Sequence, residues 1–348
     1  MPLTLEDIAK LSGFSRSTVS RVLNHDSRVN PETREIIQKV IDELNFFPNL
    51  AARGLASGHT NVLGVIIPAG VPSLFNDPYF PVLLQGVSAA CNKMDYSVML
   101  SISDIQYEKR LLGRLIHNRL VDGVIVASTL IGDPMVSALT NSDLPFVIVG
   151  RQPNLTANDV DVDNRQAARL ATDYLIGQGY TRIAHITGPL NQKAGKDRLD
   201  GYKDGLISGG FKVDPKLIVT GNFTEHGGYL GMRKLLMSKP DAVFAASDLT
   251  AMGALRCLNE ASLRVPEDVA LVGFDDIPVA SRITPSLTTI RQPIHDMGKM
   301  AAEALIDIIE NGSKELRHIT LSTELIIRGS TGAPKLRVEQ TYESLSIR

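Results

Sequence analysis

Only two cysteines, Cys91 and Cys257, occur in 348 residues. That excludes a disulfide framework, and with no Cys/His cluster at zinc spacing it argues for a reducing cytoplasm, with no metal and no cofactor expected. Both thiols read as buried small hydrophobes. Long apolar runs are also missing: none reaches the roughly 18 to 20 residues that cross a bilayer, so no membrane partner is expected. The opening "MPLTLEDIAK" lacks the basic-then-apolar order of a secretory signal. Charge of one sign is lacking as well. The net charge is -2, and residues 1–60 set Lys10, Lys39, Arg16, Arg21, Arg28, Arg34 and Arg53 against Glu6, Asp7, Asp26, Glu32, Glu35, Asp42 and Glu43. A phosphate-facing surface must therefore come from arrangement and not from totals. The signatures of catalysis fail too. No G-x-G-x-x-G follows a strand, and "AGKD" at 194–197 lacks the leading glycine and the Ser/Thr of a P-loop. No His pair has i, i+4 spacing, and no G-x-S-x-G elbow is present. His185, inside an apolar run, reads as a core residue, and no enzymatic activity is expected.

What is present is an ordinary globular composition, 43% hydrophobic and 21% charged, in a chain long enough for two or three domains. Thr4, with Asp7 three positions on, signals a capped helix over about 5–12 whose apolar positions are Leu5, Ile8, Ala9 and Leu11. Gly13 breaks it. Ser15 caps a second helix through Leu23, with Val19, Val22 and Leu23 inward and Arg16, Ser17, Ser20 and Arg21 on the opposite face. Two short helices joined by a glycine-containing turn are the signature of a helix-turn-helix. A third helix starts at the Asn30 cap and Pro31, with Ile36, Ile37, Val40, Ile41 and Leu44 as its stripe. The free face of the second helix suits DNA. Arginine offers a forked pair of donors to guanine, and hydroxyls reach phosphates or base edges. Spacing alone leaves a merely solvated face open.

Residues 46–60, "FFPNLAARGLASGHT", would form about two turns of helix, too short to be stable alone. Such a segment folds when it has something to hold. Here "TLEDIAKLSGFSRSTVSRVLN", "VNPETR" and "LNFFPNLAARGLAS" resemble, without a gap over residues 4–57, the head and hinge of the LacI/GalR (lactose-repressor) family of bacterial transcription regulators. The resemblance implies that Arg16, Ser17 and Arg21 read bases in the major groove. It implies that Thr4, Ser15, Thr18, Ser20, Asn24 and Asn30 contact or support contacts to backbone and groove. It further implies that Asn49, Ala52, Arg53 and Leu55 serve a hinge whose leucine wedges into the minor groove at the operator centre.

From Val62 onward, short apolar runs alternate with helical stretches. "VLGVII", "YSVMLSI", "DGVIVA" and "PFVIVG" make one set of strands, and "RIAHIT", "KLIVT", "DAVFAA" and "DVALVGF" a second. Alternation of this kind argues for two doubly wound parallel-sheet lobes with a ligand cleft between them. "NDPYF", "DRLDGY" and "AASDLTAMGALRCLNEASLRVPEDVALVGFDD" resemble the family's periplasmic-binding-protein-like core. Arg198 and Asp275 match positions that grip the effector, and an Arg plus Asp pair suits the vicinal hydroxyls of a sugar. Tyr79, Phe80 and Phe223 could supply stacking faces. Asp77, Asp163, Asp248 and Gln292 fall at strand ends near the cleft. The abundance of acids favours a neutral, hydroxyl-rich effector, and Lys193 and Lys196 leave a sugar phosphate open.

The expected organisation is an all-α helix-turn-helix headpiece over 1–45, a hinge over 46–60, an α/β core over 61–330 and a tail over 331–348. Within the core, one lobe takes about 61–161 with 292–321, and the other about 162–290 with 322–330. The expected protein is a cytoplasmic, nucleoid-associated regulator, a repressor, that binds pseudo-palindromic operator DNA as a homodimer, with a tetramer left open. The rival reading is a solute-binding or sugar-metabolising protein of the same core fold.

Overall fold

The computed structural model describes residues 3–23, 26–46, 59–67, 77–102, 113, 115, 120–127, 130–153, 157–313 and 315–332. Two compact units emerge, residues 1–61 and 62–348.

In the first unit, α1 (Leu5–Ser12), α2 (Arg16–Leu23) and α3 (Pro31–Glu43) share one small core. Thr4 and Asp7 form a reciprocal capping box, and Gly13 ends α1 in the left-handed region at φ 75°. The Asn30 side chain caps α3 through the Glu32 N–H at 3.0 Å. Ile8, Val19, Val22, Ile37, Ile41 and Phe46 are buried. Three positions expected inside are outside: Leu11, Ile36 and Leu44 are exposed. At 100° per residue, position 11 lies well off the 5, 8, 9 face and position 36 off the 37, 40, 41 face. Phe46, assigned above to the hinge, takes the place they leave. Asn45 turns left-handed at φ 45°, and the Phe46 N–H returns to the Ile41 carbonyl at 2.9 Å, tucking the ring under α3.

The second unit holds two six-stranded sheets. The first has the order β11-β5-β4-β3-β1-β2, from β1 (Val62–Ile67), β2 (Ser97–Ile102), β3 (Gly123–Ala127), β4 (Phe146–Val149), β5 (Asn158–Val162) and β11 (His318–Leu321). The second has the order β12-β10-β9-β8-β6-β7, from β6 (Ile183–Thr187), β7 (Ile218–Thr220), β8 (Ala242–Ala245), β9 (Ala270–Asp275), β10 (Thr288–Arg291) and β12 (Glu324–Ile326). All neighbours are parallel except β12, which runs antiparallel to β10. The eight apolar runs all become strands. The other four offer no apolar run of useful length: β5 reads Asn-Asp-Val-Asp-Val, β10 buries Thr288 and Thr289, β11 reads His-Ile-Thr-Leu and β12 is Glu-Leu-Ile.

Helices cover both faces of each sheet. On the first, α4 (Tyr79–Lys93) and α10 (Ile294–Asn311) pack on the side of Leu63, Val65, Ile125 and Val147, while α5 (Pro134–Thr140) covers Ile66, Val124 and Ile148. On the second, α6 (Asn164–Gly177) and α7 (Lys193–Ser208) lie over Ala242 and Phe244. Opposite them, α8 (Glu225–Leu235) and α9 (Asp248–Glu260) lie over Val243 and Ala245. Helices α4 and α10 approach so closely that a Cβ on Gly86 would sit 1.9 Å from the His295 carbonyl oxygen, and one on Gly298 2.1 Å from that of Leu83. The chain passes between the sheets three times, after Val162, after Arg291 and after Leu321. Among the described residues, no helix is long and apolar enough to cross a membrane.

Candidate effector cleft and DNA-reading face

On α2, burial of Val19 and Val22 fixes which way the helix faces, and Arg16, Ser17 and Arg21 are exposed. Ser20 and Thr18 are half-buried beside them. The Ser15 hydroxyl accepts the Thr18 N–H at 3.2 Å and lies 2.8 Å from both the Ser17 and Thr18 hydroxyls. The start of α2 is thus a compact hydroxyl cluster. Arg16 pairs with Glu6 of α1 at 3.2 Å, both side chains more than half exposed. An ion pair in that setting contributes at most about 1 kcal/mol and gives way readily to a better anion. Thr4 and Asn30 act at the N-termini of α1 and α3, where unpaired N–H groups favour phosphate. Asn24, Asn49, Ala52, Arg53 and Leu55 lie outside the described residues.

In the second unit, a cleft of about 750 Å³, part of it open to solvent, is lined by residues from both lobes. Its centre is Arg198 of α7, buried and donating in three directions. Nε gives to Asn164 Oδ1 at 2.9 Å, and Nη1 to the Ala246 carbonyl at 2.6 Å and to Asp275 Oδ1 at 3.5 Å. The guanidinium carbon stands 3.6 Å from the centre of the Phe274 ring and 5.3 Å from that of Phe223. Stacking and fork geometry together hold a planar cation in one orientation. Asp275 ends β9, and its Oδ1 also accepts Gln292 Nε2 at 2.5 Å. Burial pushes the Asp275 carboxyl up while Arg198 pulls it down. The backbone is left-handed at Asp275 and Asp276, with φ 112° and 56°. Each such residue costs on the order of 1–3 kcal/mol and persists where its surroundings insist. The surroundings here are Arg291 and Arg328, each 2.7 Å from an oxygen of Asp276.

Seven of the nine expected effector residues line the cleft: Asp77, Tyr79, Phe80, Arg198, Phe223, Asp275 and Gln292. The Phe223 ring is seated over Gly188, where a Cβ would come within 2.1 Å of it. Tyr79 and Phe80 meet edge to face at 5.4 Å. Asp77 accepts the Tyr79 N–H at 3.0 Å, and burial raises its carboxyl. Asp163 and Asp248 are not in the lining. Asp163 is exposed and spends its carboxylate as the N-cap of α6, on the Gln166 N–H. Asp248 lies beneath the cleft floor, tying the Ile277 N–H at 2.8 Å to the Thr289 hydroxyl at 2.6 Å.

Their places are taken by immediate neighbours: Asp161 and Asn164 instead of Asp163, and Ser247 instead of Asp248. Asn164 hands its Nδ2 hydrogen to Asp161 Oδ1 at 3.1 Å while accepting from Arg198. A continuous chain of hydrogen bonds therefore runs Gln292, Asp275, Arg198, Asn164, Asp161, joining the first and second crossings between lobes. Burial, its largest cause, pushes the Asp161 carboxyl up to about 6. Of the other cations in the lining, Lys193 is paired with Asp197, and Arg151 faces Asp159 at 3.6 Å.

A helix-turn-helix head and a two-lobed core with an Arg/Asp-gripped cleft occur in one chain, and both halves have relatives. Residues 4–49 match the model described as bacterial regulatory proteins, lacI family, and residues 172–331 the periplasmic binding protein-like domain. The HTH-type transcriptional regulator CelR of Thermobifida fusca is 39% identical over 332 residues, covering 94% of this chain and 98% of that protein. The chain belongs to the LacI family. The ribose operon repressor of Escherichia coli (strain K12) is 36% identical, over 94% of this chain and 99% of that one. A LacI-family structure, the CelR–cellobiose complex, superposes with a TM-score of 0.76 at 37% identity, over 94% of this chain and all of that one. The lac repressor dimer bound to operator and the anti-inducer ONPF superposes with a TM-score of 0.83 at 26% identity, over 96% of this chain and all of that one. The protein is thus a DNA-binding transcriptional regulator of the LacI type, a family of regulators and not of enzymes.

Proposed function

We propose that the protein is an operator-binding repressor, acting at the nucleoid in the cytoplasm, whose grip on DNA is set by a neutral saccharide held between its lobes. The observation that carries this is the buried Arg198, oriented by Phe274 and bonded to Asp275, in a cleft whose remaining carboxylates outnumber its unpaired cations. Asp77, Asp161 and Asp275 accept hydroxyl hydrogens and repel phosphate. Arg198 and Asp275 together match a vicinal diol, and Phe223, Tyr79 and Phe80 offer apolar faces to a sugar ring. The CelR complex with cellobiose and the ribose operon repressor support a saccharide over other neutral ligands.

Two heads on a two-fold axis would read a pseudo-palindrome, with Arg16, Ser17 and Arg21 on base edges and Leu55 at the operator centre. The hinge over 46–60 would transmit lobe arrangement to head spacing. The effector stabilises one arrangement of the lobes, and by linkage alters operator affinity by the ratio of its own affinities for the two arrangements.

The test is fluorescence anisotropy on an operator selected from a random library, titrated with cellobiose, ribose and their phosphates. Wild type should respond to a neutral sugar, and Arg198→Ala should keep operator affinity while losing the response. A variant that still responds would place the effector elsewhere. Failure to select any specific site would refute the regulator reading. Leu55→Ala should weaken specific binding far more than non-specific binding.

A further inference from the structure

The two lobes touch again on the far side of the cleft from the crossings. After β3, Leu130 forms an isolated antiparallel bridge with Gln192, the residue just before α7. The Ile131 N–H donates to the Asn191 carbonyl at 2.7 Å. The crossings leave from β5, β10 and β11. The bridge springs from β3, two strands from β5, and from β6, three strands from β10.

The first lobe holds its side of the contact in shape. Gln152 Nε2 donates to the Leu130 carbonyl at 2.6 Å, Asp133 Oδ2 accepts the Leu130 N–H at 3.4 Å, and Gly132 turns left-handed at φ 73°. Asp133 is itself fixed as the cap of α5 through the Met135 N–H. The second lobe's side is the approach to α7, the helix that carries Arg198, and Gln192 and Lys193 line the cleft. Hinged on one flank and bridged on the other, the lobes cannot part, and a saccharide cannot leave, without breaking this main-chain bridge.

We propose that Leu130–Gly132 is a clasp that locks the lobes over the effector, so that the bridged arrangement is the one the effector selects. The proposal rests on the cleft being the effector site. The clasp meets the second lobe at the start of α7, the helix that carries Arg198. Because its contacts across the cleft are main-chain, the clasp would hold any sugar that fits beneath it, leaving choice among sugars to the side chains below.

A cross-link tests this in the full-length protein. Residues opposed across an antiparallel bridge have Cα atoms about 4.5–5.5 Å apart, within disulfide range. Cys91 and Cys257 are buried, so in the double variant Leu130→Cys, Gln192→Cys the introduced pair is the one that reacts. Because Gln192 lines the cleft, the reduced form, which must still respond to sugar, is the control. Oxidised with diamide, it should cross-link nearly completely, faster with cellobiose or ribose present if either binds. Once cross-linked, its operator affinity should no longer change with sugar. Gln152→Leu, which leaves the cleft lining intact, should release bound sugar about 10-fold faster through loss of the hydrogen bond that holds the Leu130 carbonyl. A sugar-responsive wild type whose double variant stays reduced, or keeps its full response when cross-linked, overturns the clasp. Complete cross-linking in a chain whose operator affinity no sugar changes shows the two lobes bridged but refutes the effector reading, and with it the clasp's action over an effector.

Discussion

Asp161→Asn should make the core more stable while making it a poorer receptor. Both donors that reach the Asp161 side chain, the Val162 N–H at 2.8 Å and Asn164 Nδ2 at 3.1 Å, go to Oδ1. An asparagine keeps that oxygen and both bonds, and changes only Oδ2 of a residue that lines the cleft. Burial raises the carboxyl from 3.8 to about 6, opposed by the Val162 N–H and then by Arg151 and Arg198. The folded protein thus holds this proton more tightly than the unfolded chain does. Wild-type stability falls as pH rises from about 4 to about 6 and stays lowered above that. At about 1.4 kcal/mol per pH unit the cost is about 3 kcal/mol at pH 7.5. The variant escapes it, and at about 2–4 °C per kcal/mol its core transition should rise by several degrees. Melting curves of the full chain from pH 4 to pH 8 would show a gain near zero at the acid end that grows to a plateau above pH 6. A gain independent of pH, or a loss at pH 7.5, would refute the reasoning. Under the same conditions the variant should bind its sugar about 10-fold more weakly, because a charged acceptor has become a neutral one.

His185 works in the opposite sense. It is stacked between Tyr202 and Phe244, its Nδ1 lies 2.8 Å from the Phe244 carbonyl, and its Nε2 has no hydrogen-bond partner among the described residues. Burial holds it down near 3, so stability is full above pH 6.5 and drains away toward pH 3. His185→Asn should flatten that acid slope in denaturant titrations while costing stability at pH 7.5. Gly86→Ala or Gly298→Ala should each force α4 and α10 apart and lower core stability by about 1–3 kcal/mol or more, read from urea midpoints. Phe46→Ala should remove about 3–5 kcal/mol from a headpiece too small to spare it, abolishing operator binding while the core transition stays where it was.

How legible was all this in the sequence? Helix caps at Thr4 and Asn30 could be read because a cap is a local device, complete within four residues. So could the outward face of α2, since Val19 and Val22 leave it no other orientation. Arg198 and Asp275 stood out at a helix start and a strand end, where open sheets bind ligands. Asp163 and Asp248 were chosen on the same grounds, yet one residue of backbone rotation turns a side chain from cleft to cap or floor. Asp161 hid in a strand that alternates Asp with Val and resembles a surface segment, although its neighbours bury it, and Asn164 hid as the first residue of α6. Phe46 belonged to the headpiece through a left-handed asparagine that no apolar periodicity signals. The contact between Leu130 and Gln192 leaves no trace in side-chain identity, because it is made by main-chain atoms.

The strand order of the first sheet has a consequence for how the chain comes off the ribosome. Its lobe begins at Val62, but its core is not closed until α10 lays Met297, Ala301 and Leu305 against Leu63, Val65 and Val87, and its edge is not paired until His318–Leu321 joins β5. Between those pieces lie α6 through β10, which build most of the other sheet from one continuous stretch. The lobe that starts first must therefore wait, its apolar strands only partly covered, while the later one folds. A chain cut short near residue 290 would present a nearly finished second lobe joined to a first lobe with one face covered by α4 alone. Such fragments should bind chaperones or aggregate, and the regulator's yield in a cell should depend on how quickly its last 50 or so residues are made.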